Sequence, residues 1–345
     1  MDASTREDFG DRASATMAIG LNAVLAVVED DKPKVLCVRG ENETLSLPYG
    51  RFDPAQHRTF EIGLRDWVER QTNISLGYIE QLYTFGDMGR EAPAAALAGG
   101  DARDRIISVG YLALAPAAAA VNTQNAQWRD WYDFYPWEDW RRGEPKALSQ
   151  IILPALEDWA ASAIDRPVIV SRRGRIRLAF GHDEDGWEEE RALDRYELMY
   201  EAGLVEEARR DRNEEITDGD RHIFAATGRR MSSDHRRILA TAIGRLRGKL
   251  KYRPIIFRVM APSFTLLALQ KAVEAIVGFE FHKQNFRRSV ENGGFVERTK
   301  ETTQQASGRP AALFKVSNMV RRERAPAGLA IPRLRETPGY FEKTI

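Results

Sequence analysis

The 345-residue sequence predicts an α+β chain: an N-terminal α/β/α domain followed by a C-terminal winged helix-turn-helix domain. Three observations lead there. The length exceeds one ordinary domain. The first half interleaves short apolar runs with one amphipathic helix, whereas the last third orders helices before a hairpin. The charge is also divided. Residues 228–322 hold 20 Lys/Arg and 6 Asp/Glu, leaving 31 basic and 45 acidic residues elsewhere in a chain of zero net charge. Such asymmetry points to one region that meets a polyanion. The expected divisions are a disordered N-terminus at 1–17, the first domain at 18–181, a helical connector and polar loop at 182–227, the winged helix at 228–322 and a disordered tail at 323–345.

In the first domain, 20–28 and 35–39 are strand-type runs joined by a charged turn, and 45–52 continues them with a turn at Tyr49-Gly50. Over 59–72, Phe60, Leu64, Trp67 and Val68 recur at helical spacing, which makes one helix face apolar. Strand-like runs return at 77–85 and 106–114, and the Ala-, Gly- and charge-rich stretch 90–104 between them reads as a mobile surface loop. A dense aromatic stretch, 128–140, precedes a second amphipathic helix at 149–164. Residues 188–209 read as a long helical connector, with a polar, mobile patch at 211–220 after it.

The basic region starts with a helix capped by Ser233 or Asp234 and running to about Lys251, where Tyr252-Arg253-Pro254 breaks it. Residues 255–260 read as a strand, and Ser263 as the cap of a helix ending near Val277. A third helix, 282–292, stops at Gly293-Gly294. Runs at 295–301 and 311–316 form a hairpin. In the third helix Phe286 and Val290 share a buried face with His282, while Gln284, Arg287 and Arg288 lie on another, flanked by Lys283. Arginine reads guanine and glutamine reads adenine through paired hydrogen bonds in the major groove, which is what a recognition helix requires. Arg309 at the hairpin tip suits a minor groove, and Lys300 and Lys315 suit phosphates. Double-stranded operator DNA is therefore the expected partner, and a homodimer the expected state, because two-fold proteins match two-fold sites.

Cys37 is the only cysteine, which excludes an intrachain disulfide framework. The polar first 16 residues carry no apolar run of signal-peptide type, and no stretch is long enough to span a bilayer, so the cytoplasm is the expected location.

The segment from Gly50 through Arg65, Asp66, Glu69 and Arg70 to Asn73, together with YTFGD at 83–87 and RIISVGYLA at 105–113, resembles the Nudix-related transcriptional regulators. So do KLKYRP at 249–254, FTLLALQ at 264–270, NFRR at 285–288 and the aromatic WYDFYPWEDW at 131–140, the last closest to alphaproteobacterial repressors of NAD biosynthesis. The resemblance implies a Nudix-like first domain that senses an adenine nucleotide such as NAD, ATP or ADP-ribose, with no cofactor required. The Nudix signature itself is degraded. Anchoring it on Arg65 supplies Asp66 and Glu69 but puts Arg70 at the third carboxylate and His57 at the early glutamate. A cation beside the expected magnesium repels it, so no catalytic residue and no metal site are assigned. The alternative is an active pyrophosphatase acting on ADP-ribose or a related dinucleotide. Candidate ligand residues are Tyr49, Gly50, Arg51, Tyr83, Phe85, Asp87 and Arg105, at strand ends where Nudix domains bind nucleotides, with Arg90 a further diphosphate partner. Tyr83 and the tryptophans at 128–140 have a competing place in the core.

Overall fold

The computed structural model describes residues 17–39, 44–90, 105–115, 121, 125–181, 186–303 and 310–321. Its first half is built on β1 (Met17–Glu29), thirteen residues long and inaccessible to solvent along most of its length. The C-terminal end of β1 pairs antiparallel with β2 (Lys32–Arg39), and its N-terminal half pairs on the same edge with β4 (Tyr49–Arg51). Its other edge pairs in parallel with β6 (Arg105–Leu114), which pairs antiparallel with β5 (Tyr78–Phe85). Two short strands, β3 (Leu45–Ser46) and β7 (Ala126–Asp130), complete a seven-stranded sheet by pairing with β2.

Because successive strand residues face opposite sides, this sheet has two cores. On one side Leu21, Ala23 and Leu25 of β1 pack with Val109 and Ala113 of β6 and with Leu64 and Val68 of α1 (Phe60–Thr72). Helix α1 forms where its spacing predicts. The Thr59 side chain accepts from Ile62 N–H at 3.2 Å, and Asn73, left-handed at φ 56°, ends it. Trp67 of α1 lies over Gly50 so closely that a Cβ there would sit 2.0 Å from its ring, so glycine lets helix and strand meet.

The other face packs against α7 (His235–Tyr252) through Ile238, Leu239, Ile243 and Leu246. The same core takes in the aromatic stretch. Trp131, Phe134, Tyr135 and Trp137 are fully buried, so these residues are core and not stacking surfaces for a purine. A short π-helical turn, Leu148–Ile152, leads into α2 (Leu153–Ala161). α3 (Arg166–Phe180) follows, a helix the sequence reading passed over.

The connector corrects two expectations. Residues 188–209 are not one helix but a single 3₁₀ turn (Glu189–Arg191), α4 (Ala192–Glu201) and α5 (Glu206–Asp211). The break falls at Gly203, φ 74°. The polar patch and the following residues are not all loop, because α6 (Asp218–Ala226) starts there under a capping box in which Thr217 and Asp220 exchange hydrogen bonds.

Beyond α7, residues 255–260 are not a strand. Ile255–Arg258 form a 3₁₀ turn, and the strand position passes to Phe264, which exchanges both backbone hydrogen bonds with Phe314 at 2.9 and 2.8 Å. Helix α8 (Leu266–Val277) is capped by Thr265 rather than Ser263: its hydroxyl accepts from Ala268 N–H at 3.0 Å. Then come α9 (Lys283–Asn292), the hairpin β8 (Val296–Thr302) and β9 (Ala312–Val316), and a last turn, α10 (Asn318–Arg321). Among the described residues no helix is long and apolar enough to cross a membrane.

Candidate functional site

The turn between α8 and α9 is set by buried Glu274. It accepts from Gln270 Nε2 at 2.7 Å and from Phe281 N–H at 2.9 Å, while Gln270 also donates to Phe281 carbonyl at 2.9 Å. Phe286 and Val290 then anchor α9 on the core, with Phe286 stacked on Phe281 at 6.1 Å. His282 does not join them: it is the N-cap residue and is exposed, because the helix begins one residue later than its apolar face suggests. Lys283, Gln284, Arg287 and Arg288 are all exposed, as are Lys300 and Lys315 on the hairpin. Arg287 pairs with Glu291 at 3.3 Å and Lys315 with Glu297 at 3.3 Å, both at the surface, where such pairs are weak and easily exchanged for a stronger anion. Arg309 lies outside the described residues.

The second cluster forms at the end of the sheet. Strand register places Arg51, Gly20, Ser108 and Phe85 side by side across β4, β1, β6 and β5, and the next row on the same face contains Tyr49, Asn22 and Gly110. Neighbouring residues in a row face the same side, so Arg51 and Tyr49 at one edge and Phe85 at the other flank the small residues Gly20 and Ser108. Tyr49, Gly50 and Arg51 are thus brought to the same end as Phe85, Asp87 and Arg105, whose guanidinium donates to Gly86 carbonyl at 2.6 Å. Tyr83 is 62% exposed, not core, because a register shift between Gln81 and Thr84 turns it outward. Gly50 lies under Trp67 and offers backbone alone.

Two of the three carboxylates of α1 are engaged close to home. Glu61 accepts from Arg65 at 2.8 Å, and Asp66 is held by Arg70 and by His57 at 3.1 Å. Arg70 also lies over the Trp67 ring, 4.4 Å from its centroid. Among the described residues no group of three or more His, Cys, Asp or Glu is placed to hold a metal ion.

Arg90 is not on a free loop. It is buried, lies over the Tyr200 ring at 3.7 Å, and binds Glu197 at 2.8 and 3.1 Å and Asp234 at 3.3 Å. Arg237 of α7 joins the same group through Glu197 at 2.8 Å, Asp234 at 3.2 Å and Asp87. The hydrogen bond from Arg237 holds the Asp87 carboxyl below its ordinary range. Sequence reasoning missed this network, since its members lie in β5's flank, α4 and α7.

Two neighbours at the start of α7 titrate in opposite senses. Burial raises Asp234 to about 6 against the pull of Arg90 and Arg237, and burial pushes His235 down to about 3. Stability rises with pH wherever the unfolded chain binds more protons. Asp234 therefore stabilises most at low pH and loses that contribution as pH rises through 6. His235 contributes above its unfolded value of about 6.5 and loses it as pH falls towards 3. The slopes oppose each other between roughly pH 4 and 6. Thermal melting across this range is expected to fall with rising pH in His235→Gln relative to wild type, and with falling pH in Asp234→Asn. Parallel profiles for all three proteins count against these assignments.

Comparison with known proteins bears on the winged helix and on the overall fold. Residues 256–316 match the family described as NrtR DNA-binding winged helix domain. A curated relative, the "ADPR responsive transcriptional repressor NtrR" of Acinetobacter baylyi, is 34% identical over 112 residues, 32% of this chain and 42% of that protein. The fold of this chain is similar over 90% of its length to solved structures of Shewanella oneidensis NrtR. The form complexed with a 27mer DNA is 19% identical, covers 90% of this chain and 97% of that one, and gives a TM-score of 0.50. The form without DNA, 18% identical, covers 90% and 98% at the same score. The likeness is one of architecture, a sheet-based α/β domain followed by a winged helix. The aligned curated relative matches this chain over less than half its own length.

Proposed function

We propose that this chain is a homodimeric transcriptional repressor of NAD-biosynthesis genes whose hold on operator DNA is gated by an adenine nucleotide, ADP-ribose first among the candidates. The observation that carries the reading is α9: a helix in an NrtR-type winged helix domain, anchored by Phe286 and Val290, with Lys283, Gln284, Arg287 and Arg288 all exposed. A basic, glutamine-bearing face beside a hairpin carrying Lys300 and Lys315 is suited to base edges and phosphates together. ADP-ribose is favoured because the curated relative is named for its response to it.

The nucleotide is assigned to the sheet end. Gly20 and Ser108 leave a low floor between Tyr49 and Arg51 on one side and Phe85, Asp87 and Arg105 on the other. Three inter-strand spacings separate the flanks, about 14 Å, a scale that suits an extended nucleoside diphosphate sugar. Arg51 and Arg105 are matched to the diphosphate and the Tyr49 ring to the base, since Phe85 is buried in the core beneath Arg237. Hydrolysis is not part of this reading, because Arg70 stands where the signature has its third carboxylate, and Glu61 and Asp66 are engaged by Arg65, Arg70 and His57. Incubation with magnesium and ADP-ribose is expected to release no nucleoside monophosphate.

The decisive experiment is a mobility shift on the duplex upstream of the organism's NAD-synthesis genes, with scrambled competitor, repeated with ADP-ribose, NAD and ATP. Specific retardation altered by one nucleotide supports the reading, and its absence under every condition removes it. Arg51→Ala is expected to weaken ADP-ribose about tenfold in calorimetry, the scale of one charge-assisted hydrogen bond, while sparing DNA binding without nucleotide. An unchanged isotherm would place the diphosphate elsewhere.

A further inference from the structure

Helix α7 is shared by the two proposed sites. Its first turn crosses the end of the sheet. His235 Nδ1 accepts from Leu47 N–H at 3.0 Å, and its ring meets Tyr49 edge-on at 5.2 Å. Ile238 lies against Gly110, where a Cβ would come within 3.0 Å of it. Arg237 lies over Phe85 at 5.3 Å and pairs with Asp87. One helical turn therefore touches the β3–β4 corner, β6 and the end of β5. Ten residues on, about 15 Å along the axis, Arg247 donates from Nε to Ile276 carbonyl of α8 at 2.9 Å.

We propose that α7 is the element through which the nucleotide acts on the winged helix, with Arg237 as the positioning residue that registers the ligand. This rests on the proposed function and adds its route. Arg237 and Arg90 are shared among three carboxylates, Asp87, Glu197 and Asp234, so the cluster holds one more negative group than positive. Asp87 is the most exposed of the three, at 56%, and stands at the strand end assigned to the diphosphate. A dianion arriving there repels Asp87 and offers the guanidinium a bidentate acceptor. Arg237 then changes partners, and the helix that bears it shifts with it. The helix moves as a unit because Gly244 lets the Glu190 carbonyl against its middle and the Arg247 contacts fix its far half. Gating follows if the nucleotide favours one of the two positions of α7.

The connector 188–209 is the competing lever. It is bound to α7 at both ends, through Arg195 and Arg247 on Glu138 and through Glu207 on Arg236 at 3.1 Å, so it follows α7 rather than leading it.

The test uses the full chain, operator duplex and ADP-ribose. The ratio of operator Kd with saturating ADP-ribose to that without is measured for wild type, Arg237→Gln, Arg237→Lys and Glu197→Gln. Saturation is verified by titration, so that weaker nucleotide binding is not taken for lost coupling. A wild-type ratio differing from one by about fivefold or more is expected to collapse towards one in Arg237→Gln. Lysine restores part of it, and Glu197→Gln, which removes the same guanidinium's second anchor, lowers it as well. A wild-type ratio preserved in both glutamine variants overturns the role of Arg237. A wild-type ratio of one removes the gated reading itself.

Discussion

Exchanging both Arg287 and Arg288 for alanine is expected to lower specific operator affinity by about 1.5 to 4 orders of magnitude. Each bidentate contact to a base contributes about 1–3 kcal/mol of discrimination, so two together span roughly 2–6 kcal/mol. Neither side chain supports the fold. Both are exposed, and the Arg287–Glu291 pair at 3.3 Å is a surface pair worth about half a kcal/mol at most. Melting temperature and ADP-ribose binding should therefore stay close to wild type while the operator complex is lost. Lys300→Ala is the contrast. A phosphate contact carries no sequence information, so its loss should weaken operator and scrambled DNA alike and flatten the salt dependence. Unchanged operator affinity in the double variant would sink the recognition-helix assignment.

Much of the architecture is legible in local pattern. Apart from β7, the strands of the first half, α1, and the order of α7, α8, α9 and hairpin follow from apolar spacing and from stop signals such as Asn73 and Pro254. What escapes is informative. α3 mixes Val168, Ile169 and Val170 with five arginines and leaves most of its surface exposed, so it presents no clean apolar stripe. α6 did carry a local signal, the Thr217-to-Asp220 capping box, within a stretch whose polarity read as loop. The charge division was legible, but its meaning only in part. Arg236, Arg237, Arg247, Lys249 and Lys251 of the basic region turn inward, onto Glu207, Asp87, Glu138, Glu80, Glu189 and Glu190. That share of the positive surplus complements acidic residues of the first domain and the connector rather than an external polyanion. Partners separated by 29 to 169 residues leave no local pattern, and pairing of this kind becomes visible only once the helices are placed.

Glu138 is where the largest loss of stability is expected. Its carboxylate accepts from Arg195 at 2.5 and 3.0 Å and from Arg247 at 2.5 Å, and all three side chains are fully buried. Burial alone would raise its pKa, but the two guanidiniums outweigh that and hold it ionised, below the usual carboxylate range. Glu138→Ala leaves two like charges facing each other out of water, a change that costs about 3–5 kcal/mol where one partner of a buried pair is removed. Urea titration should show the midpoint falling accordingly. Glu138→Gln preserves shape but sets an amide N–H₂ towards a guanidinium, so it should recover only part of the loss. Position makes the damage spread. The aromatic turn that bears Glu138 is tied to α8 by Tyr132 Oη donating to Ala275 carbonyl at 2.8 Å and by Trp140 N–H donating to Gly278 carbonyl at 2.7 Å. Arg195 sits on α4 and Arg247 on α7. Removing the one anion between them loosens α7 from α4 and the aromatic turn, while Arg236–Glu207 and Lys251–Glu189 still tie it to the connector, so nucleotide gating should weaken before the winged helix loses its intrinsic grip on DNA. A midpoint equal to wild type in Glu138→Ala would mean that the guanidiniums find other partners and that the joint between the domains lies elsewhere.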